Sequence, residues 1–376
     1  MKSRSTFLAY LICAFVACPG YFAVAQNGSS TSWRSLFNGK DLSGWETYLR
    51  PSEAAADQKP IGLNQDPHGV FTVEDGMLRV SGQDWGGVFT KESFSNYHLR
   101  FQVKFGKKKW PPRENVVADG GLLFHCSPPY DFGSTCWMRS IELQIQETDI
   151  GDYHNVGAGI PMIPLAKSHD DADEVDQYTP SAPLQLTKNR VFRSGNFEST
   201  SDNWTTGELV ARGADAVFIV NGFVVNRVYN IYRQDLHQQT TRGQIQFQSE
   251  GAEHYLKNIE VRPIVFHPTG VPKLVANKPS IELARNGSQT LEITNQGGDV
   301  ELIAAELIGK NLEQFRVKLP VFPLVLKAGQ KLSIPISTKG DTLTNDPVVL
   351  RLETVLGPVE DFSVTLKVNS VTASIK

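Results

Sequence analysis

The chain has 376 residues, with 37 basic against 40 acidic side chains and a formal net charge of −3. Hydrophobic residues make up 40% and charged residues 20%. That balance excludes a disordered polymer, and the near-neutral charge excludes a nucleic-acid binder working by bulk charge. The 31 glycines and 21 prolines imply many turns and favour a β-rich protein, and the length fits two or three domains.

Residues 1–25 read as a secretory signal peptide. Lys2 and Arg4 precede an uncharged apolar core at 7–16, and Ala23-Val24-Ala25 is an A-x-A cleavage site. The mature chain then starts at Gln26 and is exported, periplasmic or secreted. A lipoprotein acylated at Cys18 is the alternative. No later stretch is apolar enough to span a bilayer. Cleavage removes Cys13 and Cys18 and leaves Cys126 and Cys136. In an exported protein this pair most simply forms a disulfide.

Residues 33–263 form one long β-rich region. His98-Leu-Arg-Phe-Gln-Val-Lys-Phe105 alternates with period two, so Leu99, Phe101, Val103 and Phe105 share a face. Residues 104–113 are strongly basic and read as a solvated loop. The acidic run at 169–176 reads as another. Residues 216–220 and 223–225 flank Asn221-Gly222, a pair suited to a tight hairpin. Gly243-Gln-Ile-Gln-Phe-Gln-Ser249 and residues 255–261 alternate again. A proline-rich stretch at 264–280 reads as a linker. Residues 281–376 carry short strands near 289–294, 300–308, 331–337, 348–354 and 362–368. The pattern predicts an all-β protein: an antiparallel jelly-roll sandwich followed by a smaller immunoglobulin-like β-sandwich.

Ser140-Ile-Glu-Leu-Gln-Ile-Gln-Glu147 carries the most chemistry. Strand alternation puts Glu142, Gln144 and Gln146 on one face and Ile141, Leu143 and Ile145 on the other. Gln244, Gln246 and Gln248 repeat the pattern. Gly120-Gly-Leu-Leu-Phe-His125 ends in an imidazole. An antiparallel return would make His125 and Glu142 cross-strand neighbours. Asp149, Asp152 and His154 fall in a Gly-rich turn that can hold a metal or close over a substrate. Trp85, Trp110, Trp137 and Trp204 can stack on sugar rings or pack in a core. No P-loop, G-x-G-x-x-G, H-E-x-x-H or G-x-S-x-G motif is present.

Several segments resemble one family. They are Ser35-Leu-Phe-Asn-Gly-Lys-Asp-Leu-Ser-Gly-Trp45, Phe71-Thr-Val-Glu-Asp-Gly-Met-Leu78, Gly87-Val-Phe-Thr-Lys91, Asn96-Tyr-His-Leu-Arg-Phe101, Ile141-Glu-Leu-Gln-Ile145, Val217-Phe-Ile-Val-Asn-Gly222, Gly243-Gln-Ile-Gln-Phe-Gln248 and Leu256-Lys-Asn-Ile-Glu-Val-Arg262. Together they resemble the 3-keto-glycoside lyases and hydratases, also called 3-keto-disaccharide hydrolases, over residues 33–263. The resemblance implies a concanavalin-like jelly roll acting on an oxidised glycoside or other carbohydrate. The 3-ketone acidifies the C2 proton, a base removes it, and the C1 substituent leaves; water can then add back. The resemblance carries over Glu142 and Gln144 directly. His125 stands where the family more often has Arg. The candidate catalytic set is Glu142, His125 and His154, with Gln144, Gln146, Gln246 and Trp137 as substrate-binding candidates. A divalent metal ion is a possible cofactor with no assigned ligands. The alternative is a non-catalytic carbohydrate-binding protein on the same fold.

Overall fold

The structure is a computed structural model that describes residues 32–52, 59–134, 136–170, 173–200, 202–264, 270–340 and 343–369. The signal-peptide and lipoprotein readings lie outside the described residues.

The alternating runs become strands, and their apolar faces meet. One antiparallel sheet orders its strands Tyr153–Val156, Arg139–Gln144, Gly121–Ser127, Gln244–Ser249, Trp85–Thr90, Trp45–Arg50 and Gly62–Leu63. A second sheet is built around Ala252–Pro263, Tyr97–Lys109, Thr205–Arg212, Asp215–Val220 and Phe223–Arg233. Leu99, Phe101 and Val103 of the second sheet pack onto Phe124, Ile141, Leu143 and Phe247 of the first. Phe101 meets Phe247 edge-on at 5.3 Å, and Phe124 meets Phe218 at 5.9 Å. Spatial neighbours such as Gln244–Ser249 and Gly121–Ser127 are far apart in sequence. The architecture is the all-β jelly-roll sandwich. The Asn221-Gly222 hairpin forms, with φ of 47° and 83° at its two tip residues.

Two stretches read as loops differ. The acidic run belongs to a hairpin in which Ile160–Asp170 pairs with Asp173–Tyr178. Lys167 bridges Asp176 at 3.0 Å and Glu174 at 3.4 Å, so cross-strand pairing offsets the like charges. The basic run continues the Tyr97–Lys109 strand, and only its end turns away.

Residues from Leu274 onward form a second, smaller β-sandwich, so the stretch read as a linker already carries the Leu274–Ala276 strand. One of its sheets contains Leu274–Ala276, Ser288–Asn295, Lys331–Thr338 and Phe315–Val317. The other contains Ser280–Leu283, Val364–Val368, Val348–Thr354 and Ala304–Ile308. Leu291, Ile293, Ile334 and Ile336 pack against Ile281, Leu350 and Leu366 between them. The two sandwiches are joined firmly. Val217, Ile219 and Val224 pack on Ile303 and Ala304, and the Ala305 N–H donates to Gly222 O at 2.8 Å. Arg227 is buried between them, with Nη1 and Nη2 donating to the Glu353 carboxylate at 3.0 and 2.7 Å. Among the described residues no helix is long and apolar enough to cross a membrane.

Candidate functional site

The first sheet turns its other face away from the core, and its side chains there depend on missing side chains elsewhere. A Cβ on Gly121 would collide with the carboxyl of Glu142 and the amide of Gln248. A Cβ on Gly87 would collide with the amide of Gln246. The glycines therefore let three long polar side chains lie across the sheet. Gln246 Oε1 accepts from Met138 N at 3.3 Å, while its Nε2 and Gln248 Oε1 are enclosed without a partner.

The Ser127–Met138 excursion covers part of this face. Tyr130 stacks on Tyr48 at 5.4 Å and on Phe89 at 5.3 Å. Trp137 stacks on Trp85 at 5.9 Å, and its Nε1 donates to Gly86 O at 2.9 Å. Beside it opens a hollow of about 420 Å³ whose wall includes Phe132, Trp137, Glu142, His154, Val156 and Lys188. That volume suits a small organic ligand.

Glu142 and His154 are direct cross-strand partners, so both side chains leave the same face and reach the hollow. Glu142 is 6% exposed. Burial holds its carboxyl well above the ordinary carboxylate range; Glu250 and Asp119 add to this, and Arg190 and Arg113 oppose it. Burial pushes the His154 imidazole down to about 4, helped by Arg190, so the ring is neutral near pH 7. Its Nε2 is enclosed without a partner.

Charged groups brace both flanks. Arg190 Nε donates to Asp152 Oδ2 at 2.9 Å, and Arg193 Nη1 donates to Asp149 Oδ1 at 2.8 Å and Asp152 Oδ1 at 3.0 Å. These bonds fix the turn that delivers His154. On the other flank Arg113 pairs with Asp119 at 2.6 Å and Glu250 at 2.5 Å. Burial raises the Asp119 carboxyl to about 6, against the pull of Arg113.

The structure brings together Glu142, His154 and Trp137 and separates the other candidates. His125 is not the neighbour of Glu142; Leu123 is. A bulge between Phe124 and Ser127 puts His125 at φ 54° and turns its ring onto Phe124 at 5.0 Å, with Nε2 at 3.0 Å from Gly213 O. The imidazole is therefore held between the sheets, and burial pushes it down to about 4. Gln146 lies past the end of Arg139–Gln144, in a turn where its Nε2 donates to Asp149 Oδ2 at 2.7 Å. Gln144 and Gln246 share the site face but are buried and do not line the hollow. No disulfide joins the cysteines: Cys126 is buried among Leu123, Phe89 and Met138, and Cys136 is half-buried.

Sequence reasoning missed Asp119, Glu250 and Arg113 as neighbours of Glu142, and Phe132 and Lys188 as wall residues. Arg113 was hidden in a basic run. Phe132 and Lys188 come from loops, where no periodicity marks direction. Among the described residues no group of three or more His, Cys, Asp or Glu side chains is placed to hold a metal ion. One carboxylate and one imidazole facing the hollow do not make up such a set.

A search of curated proteins found no match. Among solved structures, a Parabacteroides distasonis ATCC 8503 protein provisionally described as a glycosyl hydrolase is 15% identical, with a TM-score of 0.40 over 62% of this chain and 94% of that one. A Bacillus subtilis protein of unknown function with a galectin-like fold is 10% identical, at TM-score 0.36 over 64% and 98%. A laminarinase from Flavobacterium sp. UMI-01 is 11% identical, at TM-score 0.31 over 62% and 100%. These likenesses are too distant to carry a function. The family model described as the 3-keto-alpha-glucoside-1,2-lyase-like domain matches residues 32–262, the whole of the first sandwich, and the chain belongs to that family.

Proposed function

We propose that the protein is an exported carbohydrate-active enzyme that cleaves 3-keto-glycosides by elimination across C1–C2. The supporting observation is the pairing of Glu142 and His154 on adjacent strands, both facing one hollow. Glu142, when ionised, is the general base that takes the C2 proton. A carboxylate destabilised by burial is a stronger base than one in water. The neutral His154 ring donates its N–H as a hydrogen bond to the ketone oxygen as that oxygen gains negative charge. Trp137 presents a fixed aromatic face to the sugar. Water adding to the resulting enone would give the free keto sugar.

The test is incubation with a 3-keto-glucoside, following the ultraviolet absorbance of the enone. Glu142→Gln should lower the rate by roughly 10²–10⁴-fold with an unchanged melting temperature. Full activity in that variant removes Glu142 from the mechanism. Sugar binding without turnover in the wild type supports the alternative, a carbohydrate-binding protein. Export is tested separately: amino-terminal sequencing of the protein recovered outside the cytoplasm should begin at Gln26, and retention of Met1 there would refute cleavage.

A further inference from the structure

Resting on that reading, we propose that Asn226 is a positioning residue for the elimination: its amide holds the turn that delivers His154 and the segment that carries Arg190 on the strand beneath them. Asn226 belongs to Phe223–Arg233 and is fully buried. Its Nδ2 donates to Val191 O at 3.1 Å and to Gly151 O at 3.4 Å. Its Oδ1 accepts from Arg227 N at 3.0 Å, which fixes which end of the amide faces the two carbonyls.

An irregularity in the strand makes this possible. Successive strand residues ordinarily project to opposite faces. Here Phe218 pairs with Asn226 and Ile219 with Val224, so Val225 is one residue too many for its neighbour. With that bulge, both Val225 and Asn226 meet the same turn: a Cβ on Gly151 would strike Val225 Cγ2, while Gly151 O takes the Asn226 amide. Gly151 has φ 103°, which a residue with a side chain rarely adopts. Bulges beside a site re-aim side chains in this way. Ser194 N also donates to Val225 O at 3.0 Å, so the two residues hold the 191–194 segment at both ends.

The segments held there carry the surroundings of Glu142. Val191 exchanges backbone bonds with Tyr153 at 2.9 and 3.0 Å, and Tyr153 immediately precedes His154. Arg190 immediately precedes Val191 and donates to Asp152 Oδ2 at 2.9 Å. The turn also returns to the Glu142 strand, with Gly151 N donating to Gln144 O at 2.9 Å and Gln144 N to Asp152 O at 3.0 Å. One amide thus joins the two segments that place His154 and Arg190 near the base. A side chain unable to donate leaves buried carbonyls short of a partner, and the segments shift to satisfy them.

The groups acting on Glu142 are His154, Asp119, Glu250, Arg113 and Arg190, and Lys188 shares its hollow. Asn226 supports two of them. Arg190 opposes the rise in the Glu142 carboxyl, so displacing it should carry the low-pH limb of kcat/KM to higher pH. The experiment uses the full chain with the 3-keto-glucoside and takes rates per folded molecule. Asn226→Ala should lower kcat by about tenfold, with KM changed less than about twofold, and move the limb upward. Asn226→Ser keeps one donor and should show smaller changes in the same directions; it carries the test alone where the alanine variant does not fold. Val228→Ala, a core truncation on the same strand, should lower the melting temperature without moving the limb. An unchanged kcat and limb in the folded Asn226 variants, or the same changes in Val228→Ala, overturns the positioning role and leaves the lyase reading intact. Absence of enone with the wild type overturns both.

Discussion

Glu142 sits where burial disfavours a charged carboxylate, and its neighbours decide the pH at which it ionises. Asp119, Glu250, Arg113 and Arg190 all act on it electrostatically, and His154 faces it from the next strand. A base must be ionised, so kcat/KM should fall as pH drops through the Glu142 pKa, well above the ordinary carboxylate range. Asp119→Asn removes a negative neighbour and should move that limb to lower pH, measured as the pH profile of enone formation; a shift to higher pH would contradict the assignment. The glycine beneath is as informative. Gly121→Ala places a methyl where the Glu142 and Gln248 side chains lie, and should cut kcat/KM by about tenfold or more through a displaced base. Unchanged kcat/KM would show that the carboxyl has room to shift. The face on which Glu142 lies was legible in its sequence position, because alternation alone assigns it. His154 could be suspected but not paired, since the turn between the strands sets the register. His125 was misplaced because a bulge, invisible to period-two counting, rotated it into the core.

At the scale of strands, the regular runs were legible. Tyr97–Lys109, Asp215–Val220, Gln244–Ser249 and Val348–Thr354 form where the sequence placed strands, and burial alternates in Tyr97–Lys109 and Val348–Thr354. Charge misled the reading where pairing could absorb it. The acidic hairpin is held by Lys167, and the basic strand sets Lys104 over the Trp204 ring at 5.4 Å, beside Lys257 of the neighbouring Ala252–Pro263 strand at 3.9 Å. Composition reports solvent contact and not chain direction, so a charged outer face looks the same as a loop. Residues 300–308, which look like one strand, divide at Ile303 into Val300–Leu302 and Ala304–Ile308 in different sheets. That division lets the second segment pack against the first sandwich.

In the molecule as a whole, the two sandwiches are coupled by buried charge. Arg227 is held by Glu353 and, at 3.4 Å, by Glu306, which also accepts from the Tyr178 hydroxyl at 2.7 Å. Burial opposes the guanidinium's charge, and these carboxylates more than offset it. Removing one partner of such a set leaves the other buried and uncompensated. Arg227→Ala should therefore cost about 3–5 kcal/mol, read from chemical denaturation; a loss below about 1 kcal/mol would show that water replaces the pair. Truncation near residue 270 is a poor way to isolate the first sandwich, because it strips Glu353 and Glu306 from Arg227 and bares Val217, Ile219 and Val224. The reading of 264–280 as a linker came from proline content, which marks a crossing of the chain but not what the two sides share.

The Asn221-Gly222 hairpin, whose Gly222 carbonyl receives the Ala305 amide, has an implication for engineering. A chimera that transplants the first sandwich onto a foreign carrier must supply a strand end for that carbonyl and two acids for the arginine behind it. A recipient offering neither would meet a hydrophobic, positively charged scar, and the fusion would aggregate before the Glu142 face could be assayed.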